Sequence, residues 1–462
     1  LYTMLKIDEG DTLGAARIRL RSLFAAVNDR KNHAEGVASN EKPIVFYRKT
    51  ETRPVEVKKL KTIYIPQMAP VHFPIMERAL QTIGYQVKLL PHVNSEALQL
   101  GLRYVNNDAC YPAIVVIGQL LETVLSKDFD PTTSGLLLAQ TCGPCRATNY
   151  ATLLKWALRD LHMENVPVLT ISRHKVEGSY HLDLGIRGFR RLMIGLLYGD
   201  LLQKVYLNTR AYEAEKGSAN ALLKKWTEEA RKDVASTIST FKSNVRKIVE
   251  DFAAVKRVNV KKPRVGIVGE ILLKYHPQAN LQVVEEILAQ GAEPQLGDIS
   301  SFILYCLYDP VYQAQTLDGP KVNAFFSKLT LNYLEHLRAY VNDALRGTVF
   351  GTMSTLKELL THLNGLMSPA QQAGEGWLLT AEMVEFLHTD TPNVLCLQPF
   401  ACLPNHITGK GVMRALRETV PGANLCAIDF EAGTSHANFS NRLKLFLAQA
   451  VDNLNGETPK PV

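Results

Sequence analysis

A chain of 462 residues, 46% hydrophobic and 21% charged, has an ordinary globular composition that argues against disorder or a fibrous repeat and is long enough for two or three domains. The net charge of +7 is mild, and its basic residues are scattered apart from a denser stretch over Lys224–Lys262 with no interleaved aromatic ladder, so nucleic-acid binding is not expected. Seven cysteines are too few, too irregularly spaced and odd in number for the disulfide framework of a small secreted protein, which points to a reducing, cytoplasmic compartment.

The sequence opens on Leu1, and Ala15–Asn28 already reads as an amphipathic helix, so we expect a piece cut from a longer polypeptide. No secretory pattern stands at its start. Residues 1–60 hold that helix and a polar connection over Asp29–Lys42. A first α/β lobe is expected over 61–188. Strand Lys61–Pro66, helix Ile75–Ile83 and strand Gln86–Leu90 form a β-α-β unit, and the alternation continues through helix Ser95–Tyr104, helix Pro112–Leu125, strand Gly135–Gln140, helix Arg146–Leu161 and strand Val166–Ser172. Residues 189–260 are almost wholly helical, with the charges of Lys224, Lys225, Glu228, Glu229, Arg231 and Lys232 on one face, and read as a helical bridge. Within this region Leu192–Leu202 is broken by Gly195, Gly199 and Asp200, and no run reaches the roughly 18 apolar residues of a spanning helix, so no membrane partner is expected.

A second α/β lobe is expected over 261–462, opening with the buried strand in Lys261–Glu270 and helix Asn280–Gln290. Helices fill Leu304–Leu366, followed by strand Asn393–Leu397, helix Gly409–Glu418, strand Leu425–Asp429 and helix Asn438–Leu454. The fold class is therefore α/β, two doubly wound lobes with parallel sheets joined by a helical segment, and ligands gather beyond the carboxyl ends of such strands.

The sharpest chemical feature is Cys142-Gly143-Pro144-Cys145, between the strand Gly135–Gln140 and the following helix. Thiolates three positions apart can share one metal centre, and amides at a helix N-terminus stabilise their charge. The same motif fits a thioredoxin-like redox pair. Cys110 also precedes a helix, and Cys402 lies between the strand Asn393–Leu397 and the helix at Gly409. Cys110, Cys142, Cys145 and Cys402 could hold a [4Fe–4S] cluster or a zinc ion, and their wide separation in sequence favours a cluster. A cluster so ligated would lie in a cleft between the lobes. Cys396 and Cys426 lie in apolar strands and Cys306 on an apolar helical run, where core packing is expected.

Four segments carry a family resemblance: Asn106–Ala113 (NNDACYPA), Gln140–Tyr150 (QTCGPCRATNY), Val265–Asn280 (VGIVGEILLKYHPQAN) and Pro399–Gly411 (PFACLPNHITGKG). With the opening Lys6–Leu23 they resemble the 2-hydroxyacyl-CoA dehydratase superfamily, most closely its proteins associated with or fused to acyl-CoA dehydratase activases. The similarity runs over most of the chain. It implies two flavodoxin-like lobes around an iron–sulfur cluster and a partner activator of the actin/Hsp70 ATPase fold, on a separate chain or on the same longer polypeptide. It also admits a homodimer or heterodimer, and a double-cubane [8Fe–9S] form, for which seven cysteines suffice. The dehydratases leave one cluster iron without a cysteine ligand, whereas Cys110, Cys142, Cys145 and Cys402 would saturate a four-iron cluster. The expected role is therefore acceptance of low-potential electrons in a dehydratase-like or ATP-dependent reductase system, with a zinc-stabilised scaffold and a Cys142/Cys145 thiol oxidoreductase as the alternatives. The chain has no nucleotide fingerprint of its own: Val265–Glu270 lacks G-x-G-x-x-G, and Thr408–Gly411 lacks the glycine spacing of a P-loop. Glu270, Lys274, His276, His406 and Lys410 are expected either in structural hydrogen bonds or in proton and substrate handling.

Overall fold

A computed structural model describes residues 14–34, 56–106, 109–140, 145–171, 180–363, 365–389 and 391–456. In chain order, α1 (Gly14–Ala34) precedes β1 (Thr62–Ile65), α2 (Phe73–Gln81), β2 (Val87–Leu89), α3 (Ser95–Tyr104), α4 (Tyr111–Val124), β3 (Ser134–Ala139), α5 (Tyr150–Asp160), β4 (Val168–Ile171) and β5 (Tyr180–His181). Three helices follow, α6 (Gly185–Tyr212), α7 (Ser218–Asp233) and α8 (Ile238–Ala253), then β6 (Arg264–Gly269), α9 (Ile271–Tyr275), α10 (Val283–Ala289), β7 (Glu293–Leu296), α11 (Ile299–Thr316) and α12 (Lys321–Leu345). The chain continues through α13 (Leu356–Leu363), α14 (Gly376–His388), β8 (Asn393–Pro399), α15 (Leu403–Thr408), α16 (Met413–Thr419), β9 (Asn424–Phe430) and α17 (His436–Asn455).

Two compact units result. The first comprises Leu1–Pro66, Gln86–Asp183 and Phe430–Asn441, and the second Gln67–Tyr85, Leu184–Asp429 and Arg442–Val462. Both are α/β with parallel sheets, as the alternation of strands and helices predicts. Their boundaries cross those drawn from sequence. Helix α2 lies between β1 and β2 in the chain but counts with the second unit, where Ile75, Ala79 and Leu80 are buried and α2 packs on α6 and α7. The segment expected as a bridge, α6 to α8, belongs to the second unit too. No described helix is long and apolar enough to cross a membrane.

In the first unit the sheet order is β2-β1-β3-β4-β5, with Ile63 opposite both Val87 and Gly135 and Leu137 opposite Leu169. The chain turns from one side of the sheet to the other between β1 and β3, so the carboxyl ends of these strands form its topological switch point. Helix α4 is buried on nearly every face, as a helix apolar all round must be. Its approach to α3 depends on two glycines: a Cβ on Gly101 would stand 2.1 Å from the Ile114 carbonyl oxygen, and one on Gly118 would stand 2.0 Å from that of Ala97. The helices therefore meet backbone to backbone, with Cys110 at the N-cap of the second. Gly118→Ala should force them apart and cost about 3 kcal/mol or more, a heavy instance of overpacking. Urea unfolding followed by circular dichroism checks this; an unchanged midpoint would contradict the close contact.

In the second unit the order is β7-β6-β8-β9, with Val265 opposite Pro294 and Asn393, and Gly269 opposite Leu397. This repeats the winding of the first sheet, with a switch point at the ends of β6 and β8. Helix α14 closes one face through Leu379, Met383, Val384 and Phe386, packed with Val268, Val394 and Cys396. Cys396 is fully buried and burial pushes its thiol far above the ordinary range, as the sequence reading of a core cysteine requires. Cys426 is partly buried, its thiol also raised by burial, and Cys306 is half-buried on α11.

Candidate functional site

The first unit presents two of the cysteines singled out from sequence. Cys110 has extended backbone and occupies the N-cap of α4, with Pro112 in the first turn, and its side chain makes no capping bond to the helix. Proline is tolerated there because the early amides have no intrahelical partner. Cys145 is the N-cap of a short 3₁₀ turn, Arg146–Asn149, that leads directly into α5. The hydroxyl of Tyr150, the first residue of α5, lies 3.4 Å from the Cys110 sulfur, and within the turn before α5 the amide of Thr148 donates to the Cys145 carbonyl at 3.2 Å. Gln140, just past the end of β3, anchors the same turn by donating through Nε2 to the Thr148 carbonyl at 2.6 Å. Gln140, Cys145 and Tyr150 thus belong to the connection that follows β3, at the switch point, and Cys110 touches its last residue. Cys142, Gly143 and Pro144 lie outside the described residues.

Cys402 stands at the equivalent place in the second unit. It is the N-cap of α15, which begins immediately after it; the sequence placed the next helix at Gly409. Around it the ends of β6 and β8 converge. Gly269 has φ +130°, and a Cβ there would stand 1.9 Å from the Leu397 carbonyl oxygen, so only glycine lets the two strand ends touch. Glu270 caps α9 by accepting from the Leu273 amide at 2.9 Å. Buried Glu375 accepts from the Ile271 amide at 3.0 Å and from Asn405 Nδ2 at 2.9 Å. Burial, and after it the charge of Glu375, push the Glu270 carboxyl up to about 8, and burial raises Glu375 as well. Near neutral pH Glu270 therefore keeps its proton, and the pair can hold and release one. Beside them the imidazole of His406 bonds through Nδ1 to the Cys402 carbonyl at 2.8 Å, and Gln398 Nε2 donates to Asp429 at 2.6 Å. Lys410 stands 3.9 Å from Asp429.

Lys274 and His276 are interior groups. Lys274 donates to both oxygens of Glu382 at 2.7 Å, and fully buried His276 accepts the Ala279 amide at Nδ1. Sequence reasoning missed Glu375, Asn405, Gln398 and Asp429. No spacing could reveal Glu375, which lies 104 residues beyond the Ile271 amide it binds.

The Cys110 and Cys145 thiols are of the donor type that a soft metal centre takes. Thiols at helix N-termini leave amide dipoles to stabilise a negative sulfur, and neither Cys110 nor Cys145 spends its side chain on capping its own helix. Among the described residues no group of three or more His, Cys, Asp or Glu is placed to hold a metal ion, and Cys142 is not among those residues. No family model matches the chain, and no curated protein matches it.

Proposed function

We propose that the chain is an iron–sulfur protein that accepts low-potential electrons from an ATP-hydrolysing activator, within a 2-hydroxyacyl-CoA dehydratase-like or ATP-dependent reductase system. The observation that carries this reading is the contact of the Cys110 sulfur with the hydroxyl of Tyr150, which ends the connection that follows β3 and holds Cys142 and Cys145 in sequence, in a sheet wound for ligand binding. Cys110, Cys142 and Cys145 are the proposed ligands from the first unit and Cys402 the fourth. When bound, a [4Fe–4S] or double-cubane cluster supplies a low-potential electron couple. The protein's part is to bind and orient. Backbone amides at the N-caps of Cys110 and Cys145 would stabilise anionic sulfur, the Tyr150 hydroxyl lies within hydrogen-bond distance of the Cys110 sulfur, and Glu270 with Glu375 holds a proton in the unit that carries Cys402.

Cysteine variants prepared without oxygen test the ligand set. Cys110→Ala, Cys142→Ala and Cys145→Ala should lose most of the iron, and Cys402→Ala should lower it or alter the visible spectrum. Cys306→Ala, Cys396→Ala and Cys426→Ala should keep both iron and spectrum, at a modest cost in stability where the sulfur is buried. Full iron with an unchanged spectrum in Cys402→Ala removes it from the set, and loss of iron from folded Cys306→Ala adds a ligand and favours the larger cluster.

A further inference from the structure

Helices α11 and α12 form an antiparallel hairpin in the second unit, and near its tip α12 buries one face and exposes an apolar stripe on the other. One face of α12 is the expected one: Ser327, Leu331, Leu334 and Arg338 are buried, at spacings that keep them on one side of a helix. The opposite side carries Val322, Phe325, Phe326 and Leu329, which are 68%, 60%, 61% and 51% exposed, and Leu317 in the hairpin turn is 66% exposed. Farther along the helix the same side is occupied by Tyr333 and Tyr340. There it is covered: α8 packs on α12, and the Lys242 ammonium sits 3.7 Å from the centre of the Tyr340 ring. The face therefore has a helix over its inner half, and among the described residues none over its outer half.

We propose that this hairpin tip is a homodimerisation element, in which Val322, Phe325, Phe326 and Leu329 of two copies pack antiparallel about a twofold axis. The order of the stripe favours a second copy. Its positions i, i+3, i+4 and i+7 read the same in both directions, aromatic in the middle and aliphatic at the ends, so reversal sets Phe325 on the partner's Phe326 and Val322 on the partner's Leu329. Such self-complementarity is what an isologous contact requires. The area fits as well. At these exposures the five side chains leave about 500 Å² of apolar surface in water, near the top of the range for a monomer's largest patch. With flanking polar atoms this approaches the roughly 800 Å² per partner of a standard interface. No charge lies within the stripe, and Lys321 and Lys328 flank it on one side. A basic partner finds no matching field there, and the stripe itself offers an acidic one no ion pair.

Light scattering of the anaerobically purified protein over a concentration series should give twice the chain mass of 51.4 kDa. Phe325→Asp/Phe326→Asp, and the milder Phe325→Ser/Phe326→Ser, should give the single-chain mass with an unchanged circular dichroism spectrum. Added salt should hold or tighten the dimer, because the contact is apolar and its lysines repel. A wild-type protein of single-chain mass up to ~50 µM, where an interface of standard size is occupied, overturns the proposal; so does a folded serine variant that stays dimeric, or dissociation by salt. Iron content does not enter this measurement, so its failure is separable from failure of the proposed function.

Discussion

Lys274→Met should destabilise the second unit by about 3–5 kcal/mol, the cost of leaving one member of a buried ion pair alone. Lys274 and Glu382 are 6% and 5% exposed, and both carboxylate oxygens accept from the ammonium at 2.7 Å. Burial already raises the Glu382 carboxyl above the usual carboxylate range, with Lys274 pulling it back. Without that ammonium the folded value rises further. The native state then keeps a proton that the unfolded chain gives up above about 4.3, so stability falls as pH rises from there through the new folded value. The loss should accordingly be larger at about pH 8 than at about pH 5. Urea unfolding at the two pH values checks this, and Lys274→Met/Glu382→Leu should recover most of the stability. Equal losses at both pH values would place the cost in packing instead of charge.

Asp200→Ala should cost about 4 kcal/mol or more, because three interior donors lose their acceptor and each stranded donor costs about 1–3 kcal/mol. Asp200 Oδ1 binds His72 Nε2 at 2.9 Å and the Ile299 amide at 2.8 Å, while Oδ2 accepts from the Ser300 amide at 3.0 Å. The carboxylate thus closes the N-terminus of α11 and ties it to α6 and to the start of α2. Burial acts to raise its pKa, but the hydrogen bond and charge of His72, the Ser300 hydrogen bond and the charge of Arg338 prevail and hold it below the usual aspartate value. The stabilisation is therefore complete above the unfolded value of about 3.9 and is lost as pH falls through the lower folded value. The gap between wild type and Asp200→Ala should close in acid within that window. A gap independent of pH would deny the ionised carboxylate its part.

Much of the fold can be read from the chain because its signals are local. Runs such as Gly135–Gln140 and Val265–Gly269 are continuous and apolar, as strands covered on both faces must be, and their alternation with helices implies parallel sheets. Elements made by tertiary context are not legible. The strand Glu293–Leu296 reads EPQL, with no β pattern, and exists because Glu293 is buried by Asn208, Tyr212 and Arg264 while its backbone pairs with β6. Likewise α15 starts at Leu403 on a cysteine cap, without the serine, threonine or aspartate that announces a helix. Strand order is invisible in sequence too, so the motif around Cys145 can be recognised while its place at a switch point cannot. The acid pair at Cys402 is hidden for the same reason: Glu375 meets α9 only after β6 and β8 have paired.

The metal content of protein never exposed to oxygen decides whether the chain holds an iron–sulfur cluster. Iron, acid-labile sulfide and zinc should be measured per chain on one sample whose visible spectrum is also recorded. A brown protein with about four irons, or about eight for a double cubane, and matching sulfide is expected. Stoichiometric zinc with negligible iron and sulfide, or a colourless metal-free protein with a redox-active Cys142/Cys145 pair, would contradict it.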